Sequence, residues 1–212
     1  EYVKKKTHAY MHVDLTQSIG KVPLDMTNID LASISAHKLE GLKGSGILVK
    51  KSFVPYVPLI NGGEQEFGIR GGTSNALVDM MFAKTLRLAL ENGKKYHSCI
   101  QEMHDRLIAG LKSIEGVEIN SPEDAIASTI NFSYENIPSE VMQNALNEGG
   151  FMVSARSTCD SKSMNPSYVL EAMGFSKKRA SSCIRVSLSY HNTLEEVDRF
   201  IEVLKGVIQL YG

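Results

Sequence analysis

The stretch SAHKLEGLKGSGIL, Ser35 to Leu48, sits at a junction. Before it, Leu31 to Ser35 (LASIS) alternates like a strand, and at its end Ile47 to Lys50 (ILVK) reads as another. Between them a histidine directly precedes a lysine, and three spaced glycines mark a turn. Upstream, Ala9 to Val13 (AYMHV) has the character of a short buried strand, with Asp14 at its C-terminal end. Short strands separated by connections indicate an α/β sheet that is partly parallel. In such sheets ligands gather at the C-terminal edges of the strands. Asp14, Gln17, Ser35, His37 and Lys38 all fall at such edges, so the spacing predicts that they converge on one crevice. A sheet-edge salt bridge is the plain reading of a carboxylate near a lysine and a histidine; a ligand site is the sharper one.

Outward from this junction, Pro55, Pro58 and the Gly-Gly pairs at 62–63 and 71–72 mark an irregular loop region. Ser74 to Lys112 is helical in pattern: Leu77, Met80, Met81, Lys84 and Leu88 keep the 3–4 spacing, and Ile100, Met103, Leu107 and Leu111 continue it. Ser74 or Asn75 is placed to cap its start, and Asn92-Gly93 is expected to bend or interrupt it. After Gly116 the texture changes. Val117 to Ile119 and Thr129 to Phe132 read as strands, Ser139 to Asn147 as a helix, and Phe151 to Ser154 as a strand. Pro166 to Met173 reads as a short helix, Ile184 to Leu188 as a strand, and Thr193 to Leu210 as an amphipathic helix opened by a Thr193/Glu196 capping box. This order suits a small α+β layer domain. The division expected is residues 1–92 for the first domain and 93–212 for the connecting helix and the second.

The 212 residues carry a formal net charge of −1, with 42% hydrophobic and 22% charged residues, an ordinary soluble globular composition. Nothing in that balance supports a direct nucleic-acid partner, and no apolar run approaches the ~20 residues of a membrane span. The basic run Lys4 to Lys6 reads as a solvated surface or strand edge. Three cysteines, Cys99, Cys159 and Cys183, without a C-x-x-C pair, argue against a disulfide framework or a zinc site and for a cytoplasmic setting. The chain opens on Glu1, and its first segment reads like the approach to an interior strand, so a fragment is expected.

A cofactor with a basic ring nitrogen, an aldehyde and a phosphate needs three things. It needs a carboxylate to keep the ring nitrogen protonated, a lysine amine to bind the aldehyde, and small donors for the phosphate. Pyridoxal phosphate is that cofactor, and Asp14, Lys38, Ser35 and His37 supply those groups. At this point three segments resemble one family. HVDLTQSIGKVPLD (His12 to Asp25), SAHKLEGLKGSGIL (Ser35 to Leu48) and GGEQEFGIRGGTSNA (Gly62 to Ala76) look like the cysteine desulfurases, class V members of the fold-type I pyridoxal-phosphate superfamily. The resemblance implies an α/β fold: part of a fold-type I large domain followed by a C-terminal α+β small domain. It implies that Asp14 pairs with the pyridinium nitrogen and Gln17 donates to the phenolic oxygen. Ser35 and His37 then contact the phosphate, and Lys38 carries the cofactor and moves the Cα proton. Thr73 would reach the phosphate of the other subunit's cofactor, which implies a homodimer, with Arg70 supporting that loop. It also implies a long N-terminal part that supplies a stacked imidazole and more phosphate donors. The 212 residues alone are therefore expected to bind cofactor poorly and to be inactive.

The cysteines carry the rest. Cys99 on a helix and Cys183 beside a strand fit small buried residues. Cys159, in VSARSTCDSKSMNPSYVLEAMG (Val153 to Gly174), lies among polar residues, with Arg156 and Lys162 near enough in sequence to favour its thiolate. In the family resembled, this loop carries the nucleophile, and Arg156 stands where many members have glycine. Arg185, in SSCIRVSLSYHNT, lies in an apolar strand and reads either as a clamp on a substrate carboxylate or as half of a structural ion pair. His8, His12, His97, His104 and His191 share no ligand spacing and read as surface or packing residues, with no metal. The activity implied is conversion of L-cysteine to L-alanine with a persulfide on Cys159, passed to a sulfur-acceptor protein for iron–sulfur clusters or thiolated products. An aminotransferase or selenocysteine lyase of the same class, or an inactive scaffold, are the alternatives.

Overall fold

In the computed structural model, which describes residues 1–155 and 167–212, the chain divides into two compact units, Glu1–Lys94 and Lys95–Gly212. The first holds a three-stranded sheet of β1 (His12–Asp14), β2 (Leu31–Ser35) and β3 (Gly46–Lys50), in that order. β1 runs parallel to β2, with Asp14 beside Ser33, and β3 runs antiparallel with Gly46 opposite Ser35. The mixed sheet is the one the spacing predicts. Alternation sorts its faces. Ala32 and Ile34 of β2 are buried with Leu15, Ile19, Ala36 and Phe82, and Val13 and Ile47 pack against them. Asp14, Ser33 and Ser35 lie on the opposite face.

A short helix α1 (Tyr2–Lys6) precedes the sheet where an extended strand approach was expected. The basic run within it is not uniformly solvated. Lys4 Nζ donates to Asp30 Oδ2 at 2.7 Å, the Met11 amide donates to the same oxygen at 2.8 Å, and Lys51 stands 3.8 Å from Oδ1. Asp30 is only 2% exposed, and a buried carboxylate needs such partners.

Helix α2 (Ala76–Lys112) runs unbroken for 37 residues, so Asn92-Gly93 does not interrupt it. The Asn92 side-chain Nδ2 donates back to the Leu88 carbonyl at 2.9 Å, and the flanking helical pattern outweighs the weak propensity of two residues.

The second unit pairs β4 (Val117–Ile119), β5 (Thr129–Tyr134) and β6 (Cys183–Ser187) antiparallel, in that order. Helices α3 (Ser139–Glu148), α4 (Tyr168–Ala172), α5 (Lys177–Ser181) and α6 (Leu194–Tyr211) accompany them. Ile130, Phe132 and Ile184 are fully buried against Met103, Leu107, Leu111, Met142, Leu146 and Leu204. The capping box of α6 forms as expected: Thr193 Oγ1 accepts from the Glu196 amide, and the Glu196 carboxylate accepts from the Thr193 amide. Two elements differ from expectation. Phe151 to Ser154 is not a strand: only Ser154 pairs, with Arg185, and the Val153 carbonyl accepts from the Gln143 side chain. The short helix α5 has only one turn, too short for periodicity to show.

Candidate active site

The first unit brings five of the predicted residues to one sheet edge. Asp14 ends β1, and Ser35 ends β2 on the same face. Because the two strands are parallel, both ends open on the same side. The chain then turns through a 3₁₀ segment, Ala36–Leu39, in which Ala36 is fully buried while His37 and Lys38 are exposed. The Gly41 amide closes this turn on the Ala36 carbonyl at 3.0 Å. A buried alanine followed by two exposed functional side chains explains why the chain reads S-A-H-K: the alanine pins the turn, and its neighbours project from it.

Asp14 is held as a carboxylate. The hydroxyl and amide of Thr16, the amide at 2.9 Å from Oδ1, keep its carboxyl below the usual range, with a smaller contribution from the charge of His12. His12, read from the sequence as a surface or packing residue, is exposed on this face, where its Nε2 lies 2.8 Å from Ser33 Oγ. The turn after Asp14 packs onto the lysine turn through Gly20. This residue has φ of +74°, and a Cβ there would meet Leu39 Cδ2 and Ala89 Cβ at 3.2 Å each. Lys21, which drew no attention in the sequence, lies where its Nζ donates to Gln17 Oε1 at 3.0 Å. Burial lowers the proton affinity of Lys21, and the neighbouring charge of Lys38 lowers it further. Gln17, Lys21 and Lys38 therefore form one cluster. Only the QSIGK spacing, which sets Lys21 one helical turn beyond Gln17, could have signalled this.

Thr73 lies exposed in a separate loop of this unit. That loop is pinned from within: Arg70 Nη1 donates to the Gly72 carbonyl at 3.0 Å, and the Gly72 amide donates to Gln65 Oε1 at 3.2 Å. A Cβ on Gly71 would fall 2.8 Å from the Gly62 backbone, so the two glycine pairs let two chain segments touch. Arg70 thus supports the loop as its position implied. In the second unit, Arg185 is half-buried in β6, with Nη2 donating to Ser154 Oγ at 3.3 Å and Asn131 opposite in register. Cys183 is buried and Cys99 partly so, as their surroundings in sequence suggested. Arg156, Cys159 and Lys162 lie outside the described residues.

The donor set at the first sheet edge fits pyridoxal phosphate. It contains a stable carboxylate and an exposed lysine amine on a fixed turn, with the Ser35 hydroxyl, the exposed His37 imidazole and the exposed Gln17 amide in the segments at that edge. Among the described residues no His/Cys/Asp/Glu group could hold a metal ion, and no helix is long and apolar enough to cross a membrane.

Comparison with known proteins agrees with this chemistry. The family model for aminotransferase class-V matches residues 1–200. A cysteine desulfurase of Sinorhizobium fredii is 38% identical over 211 residues, covering 97% of this chain and 54% of that protein. The cysteine desulfurase IscS of Methanosarcina thermophila is 37% identical, covering 98% and 52%. Among solved structures, a NifS-like protein superposes with a TM-score of 0.87 at 34% identity, over 98% of this chain and 55% of that one. DndA from Streptomyces lividans gives 0.70 at 31% identity, over 87% and 54%. The chain spans about half the length of the curated relatives it matches. These similarities and the matched residues place it plainly: the chain belongs to the aminotransferase class-V family, among relatives that are cysteine desulfurases.

Proposed function

We propose that the protein containing this chain is a pyridoxal-phosphate-dependent cysteine desulfurase. One observation carries the reading: Asp14, Ser35 and Lys38 meet at one sheet edge, in a chain whose relatives bear that name. Asp14, already a stable carboxylate, would hold a proton on the ring nitrogen, and Gln17 would donate to the ring's phenolic oxygen. Ser35 and His37 would hold the phosphate. When bound, the cofactor supplies an electron sink for charge developing at the substrate's Cα. Lys38, on its fixed turn, would hold the cofactor through its amine and, once that amine is free, would take and return the Cα proton. Arg185 holds the carboxylate of L-cysteine by a bidentate pair. The Cys159 thiolate attacks the substrate sulfur; the S–S bond forms as the C–S bond breaks, and its electron pair leaves with the carbon fragment. The products are a persulfide on Cys159 and, after protonation, L-alanine. The partners under this reading are a sulfur-acceptor protein and a second copy of the chain, whose Thr73 serves the neighbouring phosphate.

The test is alanine release and persulfide formation from L-cysteine by the intact protein. Cys159→Ala and Lys38→Ala are each expected to lower turnover at least ~100-fold. Undiminished consumption of L-cysteine by Cys159→Ala, requiring a keto acid and giving a mercapto keto acid with the amino group passed to the acceptor, would instead identify an aminotransferase.

A further inference from the structure

Lys21 has no part in the chemistry proposed above, yet it is built into the cluster that performs it. It is half-buried, its Nζ is 3.0 Å from Gln17 Oε1, and the Lys38 charge reaches it. The turn that carries it is held against Leu39, the residue after Lys38, by the close approach at Gly20. A lysine ammonium has three donors and no acceptor, so only the oxygen of the Gln17 amide can face it. The NH₂ group of Gln17 is then turned to the other side, where it can only donate. Without Lys21 the amide is free to flip and to present its oxygen in the same place. Gln17 is exposed, so no surrounding packing fixes this choice.

We propose that Lys21 is a positioning residue of the cofactor site, which locks the Gln17 amide with its NH₂ turned outward to donate to the phenolic oxygen of the pyridoxal ring. This rests on the pyridoxal-phosphate reading given above. An anionic oxygen gains from a donor and is repelled by a carbonyl oxygen, so the orientation of one amide decides whether Gln17 helps or hinders binding. Lys21 adds a second positive charge near the cofactor, but any nearby cation could supply that; the fixed amide is what its geometry contributes.

The experiment measures the dissociation constant of pyridoxal phosphate and the position of the bound cofactor's visible absorbance band, using the intact protein. Lys21→Met is expected to weaken binding about tenfold to a hundredfold, the effect of one charge-assisted hydrogen bond, and to shift the band. Lys21→Arg, which also only donates, is expected to behave as wild type. Lys43→Met, which removes the same charge from an exposed turn, is expected to change neither quantity. In a Gln17→Leu background, Lys21→Met is expected to lose most of its effect, leaving only the contribution of its charge. Wild-type binding and an unshifted band in Lys21→Met overturn the inference and leave the cofactor reading intact. So does an equal loss from Lys21→Met with Gln17 present or replaced, since that is a general structural or charge effect. Absence of any band in wild-type protein, or a band that survives Lys38→Ala, overturns the cofactor reading and this inference with it.

Discussion

Asp30 shows how a single buried side chain ties the first unit together. Hydrogen bonds from Lys4 and from the Met11 amide, with the charges of Lys4 and Lys51, hold its carboxyl below the usual range. A depressed carboxyl contributes stability that is present above its unfolded value, near 3.9, and is lost as pH falls through its folded value. The urea midpoint of the first unit's transition is therefore expected to fall below about pH 4, and Asp30→Asn is expected to flatten that acid limb while lowering stability at neutral pH. Gly20 acts at the same scale. Its φ of +74° and the 3.2 Å approach to Leu39 and Ala89 leave no room for a side chain. Gly20→Ala is expected to cost about 1–2 kcal/mol, read by urea denaturation, and to weaken cofactor binding because Leu39 follows Lys38. The residue types of the proposed site were legible before any fold: Asp14, Ser35, His37 and Lys38 are the carboxylate, small donors and amine such a cofactor needs, and their individual roles come from the family resembled. Lys21 was not, because its role lies in a hydrogen bond to one side chain and in proximity to another.

Among elements, α2 carries the clearest lesson. Asn92-Gly93 has the composition of a turn, and a local reading breaks the helix there. Upstream, Leu77, Met80, Met81 and Leu88 stay exposed and Phe82 is buried, while downstream Met103, Leu107 and Leu111 are buried; the continuous helix on both sides outweighs about 1 kcal/mol of poor propensity at the glycine. A Cβ at Gly93 would meet the Gly20 carbonyl oxygen at 3.7 Å, an ordinary contact, and its φ is not in the left-handed region. Gly93→Ala is accordingly expected to stabilise the protein by about 0.5–1 kcal/mol, seen as a higher urea midpoint. In α6 the local signal and the fold agree. Thr193→Ala removes one half of the capping box and is expected to cost about 1 kcal/mol, while Thr193→Ser is expected to cost little. The segment Phe151 to Ser154 goes the other way. It has strand composition, but its pairing stops at one bridge, Ser154 with Arg185, and the Val153 carbonyl is taken by the Gln143 side chain.

At the scale of the whole molecule, the second unit has the deeper core. Phe132, Ile130, Ile184, Leu107, Leu146 and Leu204 interlock between its helices and its sheet, and Arg106 grips Asp198 through two nitrogens at 2.7 and 3.0 Å to join α2 to α6. Residues 95–212 expressed alone are expected to unfold cooperatively in urea, followed by circular dichroism; a broad, non-cooperative loss of helix would contradict this. The primary structure was enough to indicate the mixed sheet and the family, and it offered the chemical groups of the proposed site, because residue type, short-range periodicity and motif spacing are properties of neighbours along the chain. Folding in three dimensions settled which of those groups share a face, that α2 runs through its Asn-Gly pair, and that Lys21 donates to Gln17 within reach of the Lys38 charge. Those outcomes depend on burial and on hydrogen bonds between segments distant in sequence, which no local pattern encodes.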